Sequence, residues 1–171
     1  MATKRVYNTI IALDEKMKKT EQNYYTESAI YFMEQVVTYS RITGAQFFNE
    51  IKMGITIDQF ATLEAIYCHD DICQRDLSKI ILKDRSNTGR ILNILEENGF
   101  ITRANETKGK RLVKKIYITD AGKKLVEDYH PKLREKFLQI FKEVSEEEFV
   151  QLRQILTKMK DGLSKTTSIQ I

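Results

Sequence analysis

The chain has 171 residues, 42% apolar and 30% charged, with a net charge of +4, one proline, seven glycines and no tryptophan. A chain of this length can bury roughly 70% of the surface its unfolded form exposes, enough for one domain with its own core and no need of disulfides or a structural metal. Composition excludes collagen-like, low-complexity and disulfide-scaffold classes. The longest apolar run, Ala29 to Met33, is five residues against the ~20 that a membrane span requires. The start, Met1-Ala2-Thr3-Lys4-Arg5, runs into Asp14 and Glu15 instead of an apolar stretch. Neither an export signal nor a span is expected, and the cytoplasm is the expected compartment. The two cysteines, Cys68 and Cys73, suit a reducing environment in which thiols stay free.

Residues 1 to 23 are polar, but Val6, Ile10, Leu13 and Met17 recur at helical spacing and predict an N-terminal helical extension. A longer helix is expected from Thr26 to about Met53, apolar on several sides and stopped near Gly54. Thr56-Ile57-Asp58-Gln59 has the form of a capping box that opens a helix to Cys68, burying Phe60, Leu63 and Ile66 or Tyr67. His69-Asp70-Asp71 breaks it. A short helix over Gln74 to Ile81, with Leu77, Ile80 and Ile81 inward, precedes another from Asp84 to Asn98 that buries Ile91, Leu92 and Leu95 and ends at Gly99. Phe100 to Arg103 and Lys115 to Ile118 are β-prone and predict a hairpin. Thr119 then caps a long helix that Pro131 should kink or interrupt, and Ser145-Glu146-Glu147-Glu148 opens a last helix carrying Phe149, Leu152, Ile155, Leu156, Met159 and Leu163 on one face.

Three compact helices followed by a two-stranded ribbon make the winged helix-turn-helix plan, a mainly α (α+β) fold. The expected division is an extension at 1–23, a dimerisation helix at 24–55, a winged helix-turn-helix region at 56–118 and C-terminal dimerisation helices at 119–165. The long flanking helices carry more apolar surface than so small a head can cover, which predicts a homodimer built from the chain ends.

The charge is unevenly placed. Arg103, Lys108, Lys110, Arg111, Lys114 and Lys115, against the single Glu106, give the hairpin +5 and leave −1 for the rest of the chain. Such a cluster fits double-stranded DNA, although a solvated loop would carry the same charges. The first two turns of the helix opening at Asp84 offer Arg85, Ser86, Asn87, Thr88 and Arg90, groups that match base edges and phosphates in a major groove, with Gly89 allowing close approach. An amphipathic helix with a merely polar outer face is the bland alternative. Lys108, Lys110 and Arg111 fall at the hairpin tip, where a minor groove or phosphates are in reach, with Arg103, Lys114 and Lys115 behind them.

Catalysis has no footing: His69 and His130 stand far apart, and neither a nucleophile elbow nor a phosphate-binding glycine motif occurs. No enzyme activity, cofactor or metal is expected. Cys68-His69-Asp70-Asp71-Ile72-Cys73 holds ligand-type residues without the paired spacing of a zinc site. Cys73 stands at an expected helix N-cap, where a thiol can become reactive, so control by oxidation through Cys73 is an alternative reading. A winged-helix interaction module that no longer binds DNA is another.

Gly54-Ile55-Thr56-x-x-Gln59-Phe60-x-x-Leu63, Gln74-x-x-Leu77-Ser78, Arg85-Ser86-Asn87-Thr88 through Leu95-Glu96-x-x-Gly99-Phe100-Ile101-x-Arg103, and Ile118-Thr119-x-x-Gly122 resemble the MarR family of winged-helix regulators. The resemblance covers about residues 26 to 163. It implies a homodimer on a palindromic operator, usually a repressor, released by a small and often phenolic effector or an oxidant. It also implies a ligand pocket between the dimerisation helices and the head; Tyr24, Tyr25, Tyr31, Tyr39, Phe47 and Phe48 could line it, but aromatics at this spacing more often form core, and no ligand residue is assigned. The family's Asp-x-Arg wing motif reads Lys110-Arg111-Leu112 here, so the acidic residue that would orient Arg111 is replaced. The extension at 1–23 exceeds the family's usual lead-in, and no cysteine stands near the start of the long first helix, where peroxide-sensing members carry theirs.

Overall fold

The computed structural model describes residues 25–69, 71–108 and 111–166. The expected N-terminal helical stripe, Tyr24, Asp70, Gly109 and Lys110 lie outside the described residues. The chain divides into two compact units, Met1–Lys52 and Met53–Ile171.

In the first unit a single 3₁₀ turn, Tyr25–Glu27, leads into helix α1, Ala29–Glu50. The helix starts later than the sequence pattern predicts because Ser28 is the cap, its hydroxyl accepting from the Tyr31 N–H at 3.2 Å. It ends before the predicted Met53, at the Ile51 C-cap, and Lys52 follows with φ 51°. Ile30, Phe32, Val36, Val37, Tyr39 and Ile42 are exposed along it.

The second unit holds the remaining elements. Helix α2, Ile57–Tyr67, opens with the predicted reciprocal box: Gln59 N–H donates to the Thr56 hydroxyl at 3.3 Å, and Thr56 N–H donates to Gln59 Oε1 at 2.8 Å. Phe60, Leu63 and Ile66 are buried, whereas Tyr67 is 38% exposed and its hydroxyl donates to Glu127 at 3.0 Å. A two-residue strand β1, Ile72–Cys73, which the sequence pattern does not reveal, precedes α3, Gln74–Ile81. Leu77 and Ser78 are fully buried, so the inward face of α3 lies between them. Ile81 continues that face and is half-buried; Ile80, expected inward, falls to its side and is 44% exposed.

Helix α4, Arg85–Glu97, is capped by Asp84, whose carboxylate accepts from the Asn87 N–H at 2.8 Å. Its far end is a Schellman closure: Phe100 N–H donates to the Leu95 carbonyl and Gly99 N–H to that of Glu96, both at 2.9 Å. Gly99 sits at φ 74°, the conformation such a closure requires. Strands β2, Ile101–Lys108, and β3, Arg111–Ile118, are twice as long as the two β-prone runs. They pair antiparallel from Ile101↔Ile118 to Lys108↔Arg111, and β1 adds to the other edge of β3 through Ile72↔Ile116 and Cys73↔Lys115.

Helix α5, Asp120–Ile140, starts at Thr119 as predicted and runs through Pro131 without interruption. Pro131 and Glu127, the residue four positions earlier whose carbonyl loses its helical donor, are both exposed, so water can satisfy that carbonyl. A second capping box, Ser145 with Glu148, opens α6, Glu146–Thr166. No residue of α6 is buried: Val150, Leu152, Ile155, Leu156 and Leu163 face solvent. The core of this unit is instead Phe60, Leu63, Ile66, Leu77, Leu92, Leu95, Ile101 and Ile116, all within 1% of full burial. Each contributes about 1.5–3 kcal/mol, and together they clamp α4 and the root of the hairpin into one piece.

Candidate nucleic-acid interface

Helix α4 has two faces of opposite character. Thr88, Ile91, Leu92 and Leu95 point into the core, while Arg85, Ser86, Arg90 and Asn93 are exposed and Asn87 is half-buried at the boundary. Thr88 departs from expectation. It is fully buried, and its hydroxyl donates to the Asp84 carbonyl at 2.8 Å, so it anchors the first turn from inside instead of offering a polar group to a groove. Arg90 makes no ion pair with any described residue and extends from the second turn on the outward face. The turn leading into α4 is held by Lys83, whose ammonium meets Asp58 of α2 at 2.9 Å.

The +5 of the hairpin separates into two classes of side chain. Arg103 Nε donates to Glu96 Oε2 at 2.9 Å, and the same guanidinium donates to Asn93 Oδ1 at 2.8 Å. With only 13% of its side chain exposed, Arg103 pins β2 to the second half of α4. The guanidinium holds the Glu96 carboxyl below its ordinary pKa. Lys115 likewise meets Asp71 at 2.9 Å, with 14% of its side chain exposed, and the hydrogen bond to that carboxylate raises the pKa of the ammonium. Both residues, expected to touch phosphate, are spent on internal ion pairs. Lys114 is exposed and remains as an outer cation of the hairpin, and Lys108 and Arg111 pair at the far end of the strand register.

The turn ahead of β1 completes a brace on the other face of the ribbon. The Tyr117 hydroxyl lies within hydrogen-bond reach of both Glu106 and Asp71, 3.1 Å from the latter, and these carboxylates, Glu106 foremost, push its pKa up. Asp71, at φ 65°, thereby holds Lys115 and Tyr117 from a point more than forty residues away in sequence. Composition of the 68–73 turn advertised ligand-type residues; what it supplies is this strut. Nearby, Cys73 is the N-cap of α3 but makes no backbone cap bond, and its thiol donates to Asp76 at 3.0 Å. That hydrogen bond holds the Asp76 carboxyl below its ordinary pKa.

One further junction fixes the ribbon to the helices. The Thr119 hydroxyl donates to the Gly99 carbonyl at 2.7 Å and accepts from Gly122 N–H at 3.1 Å, while Thr119 N–H donates to the Phe100 carbonyl at 3.0 Å. The end of α4, the root of β2 and the start of α5 thus meet at one side chain.

Residues 55–113 match the model of the MarR family. Over nearly the whole chain the sequence is 26% identical to the uncharacterized HTH-type transcriptional regulator YdgJ of Bacillus subtilis (strain 168), across 160 residues that make 93% of this chain and 94% of that one. The fold superposes on MepR of Staphylococcus aureus in a MepR–DNA complex with a TM-score of 0.69 and 27% identity, covering 82% of this chain and 99% of that one. The winged-helix region thus carries the MarR-family pattern. The regulator SlyA is similar too, with a TM-score of 0.68 and 25% identity over 81% of this chain and 96% of its own.

In this chain the winged helix-turn-helix predicted from the sequence is present, with α3 and α4 as the helix-turn-helix and β2–β3 as the wing. Sequence reasoning missed Asn93, Glu96, Asp71, Glu106 and Tyr117 as the groups that hold the wing. No periodicity encodes them, because each acts on a partner in another element.

Proposed function

We propose that this chain is a homodimeric, sequence-specific regulator of transcription that represses by occupying a palindromic operator and is released by a small aromatic effector. The observation that carries the reading is the pairing of an exposed polar face on the first two turns of α4 with a cation-rich wing whose root is fixed to the helices by the Arg103 and Lys115 ion pairs. Arg85, Ser86, Asn87 and Arg90 then read the major groove, and Lys108, Lys110, Arg111 and Lys114 meet the adjacent minor groove and phosphates. Thr88, Arg103 and Lys115 support the readers from behind. The similarity to MepR, solved in complex with DNA, supports DNA binding by this chain.

The dimer is supported by the apolar residues that α6 leaves exposed and by Leu138, Ile140 and Val144 at the end of α5 and just beyond it. A self-complementary contact of this kind gives two-fold symmetry and two recognition helices. Incubating the chain with a randomised duplex pool, recovering the bound fraction and sequencing it tests the proposal. The expected product is an enriched duplex with two inverted half-sites about one helical turn apart, bound by two chains. A pool that stays random through successive rounds would contradict it and favour the interaction-module reading.

A further inference from the structure

The recognition helix contains a glycine in mid-element, Gly89, where alanine would favour the helix more strongly. On sequence alone the missing side chain reads as room for DNA. The structure puts another group in that space. A Cβ at Gly89 would stand 3.3 Å from Nε2 of Gln74, the first residue of α3. The same Nε2 donates to the main-chain carbonyl of Arg85 at 3.0 Å. One amide therefore reaches across the helix-turn-helix, bonds the first turn of α4, and lies against the bare backbone of its second turn. The Arg85 carbonyl it holds belongs to the residue that opens the reading face.

Resting on the DNA-binding reading above, we infer that Gln74 is the positioning residue that fixes the pose of α4 on α3, and that Gly89 accommodates Gln74 and not the DNA. Small rotations of a recognition helix move the tips of its arginines by more than hydrogen-bond tolerance, so a loosened brace degrades discrimination between sequences before it degrades attraction to phosphate. Gly89→Ala crowds an amide that its bond to Arg85 keeps from moving aside, and is expected to act through Gln74.

The test is a double-mutant cycle with Gln74→Ala, Gly89→Ala and both together. Its readouts are the ratio of affinities for the duplex selected by the wild type and for a scrambled duplex, and the thermal midpoint of the unliganded chain. Gln74→Ala is expected to lower the ratio about tenfold, the effect of losing one hydrogen bond that fixes the helix. Gly89→Ala should lower it severalfold alone but have no further effect in the Gln74→Ala background, where it should raise the midpoint by the ordinary preference of alanine in a helix. Equal losses from Gly89→Ala in both backgrounds would overturn the inference and return Gly89 to the role of DNA clearance. If the wild type selects no duplex, the DNA reading fails; the brace is then judged on stability, where a Gly89→Ala effect independent of residue 74 would overturn it.

Discussion

Arg90→Ala is expected to lower affinity for the selected duplex by about 10- to 100-fold while leaving affinity for a scrambled duplex within a fewfold of wild type. The magnitude follows from the ~1–3 kcal/mol by which a well-placed bidentate contact discriminates a guanine from another base. Position supports the role: Arg90 stands on the outward face of α4, in the second turn, clear of the core residues Ile91 and Leu92 beside it. One turn further on, Asn93 is already engaged by Arg103, so the readable part of the helix ends near Arg90. Competitive binding of the two duplexes, measured by fluorescence anisotropy at one salt concentration, checks it. Equal loss on both would make Arg90 a phosphate contact and move the reading function to Arg85 and its neighbours.

Gly122→Ala should destabilise the fold by at least the ~1–3 kcal/mol that overpacking a well-fitted site costs. The added carbon would lie 2.2 Å from the Phe100 carbonyl oxygen and 2.8 Å from Cγ1 of Ile118. Neither neighbour can yield. The carbonyl is tied to Thr119 N–H, and Ile118 continues the strand whose preceding core residue, Ile116, is fully buried. Relief requires shifting the start of α5 away from Thr119, which also releases the Gly99 carbonyl at the end of α4. Gly99→Ala provides the comparison: nothing crowds a Cβ there, and the strain of φ 74° alone sets a cost of about 1 kcal/mol. Urea unfolding followed by circular dichroism at fixed protein concentration would rank the two, with the larger midpoint shift for Gly122→Ala. A Gly122→Ala midpoint equal to wild type would show that the junction is looser than its geometry implies.

Gly122 also marks a boundary in what the sequence makes readable. Its place in Ile118-Thr119-x-x-Gly122 is visible, as are the caps at Thr56, Asp84, Thr119 and Ser145 and the turn glycine Gly99, because a cap or closure is decided within four or five residues. The reason for Gly122, a carbonyl twenty-two residues earlier, is not. The same distance rule separates the wing residues. The clustering of charge was visible along the chain, but whether a cation faces outward depends on partners brought from elsewhere: Glu96 and Asn93 for Arg103, Asp71 for Lys115. Thr88 and Ile80 failed for a related reason. The inward direction of a short helix is set by what packs on it, and hydroxyl or apolar character alone does not settle which side a residue takes. Strand β1 is two residues long and exists only because β3 offers an edge to pair with.

If the cations of the wing and α4 grip a phosphate backbone, as proposed, binding must weaken steeply as salt rises. With Lys108, Lys110, Arg111 and Lys114 on phosphates in each of two chains, the logarithm of affinity for the selected duplex should fall against the logarithm of salt concentration with a slope of about −7. Lys110→Ala should make that slope shallower by about one unit per chain and weaken binding to all duplexes alike. A slope near zero, or one that Lys110→Ala leaves unchanged, would contradict the account.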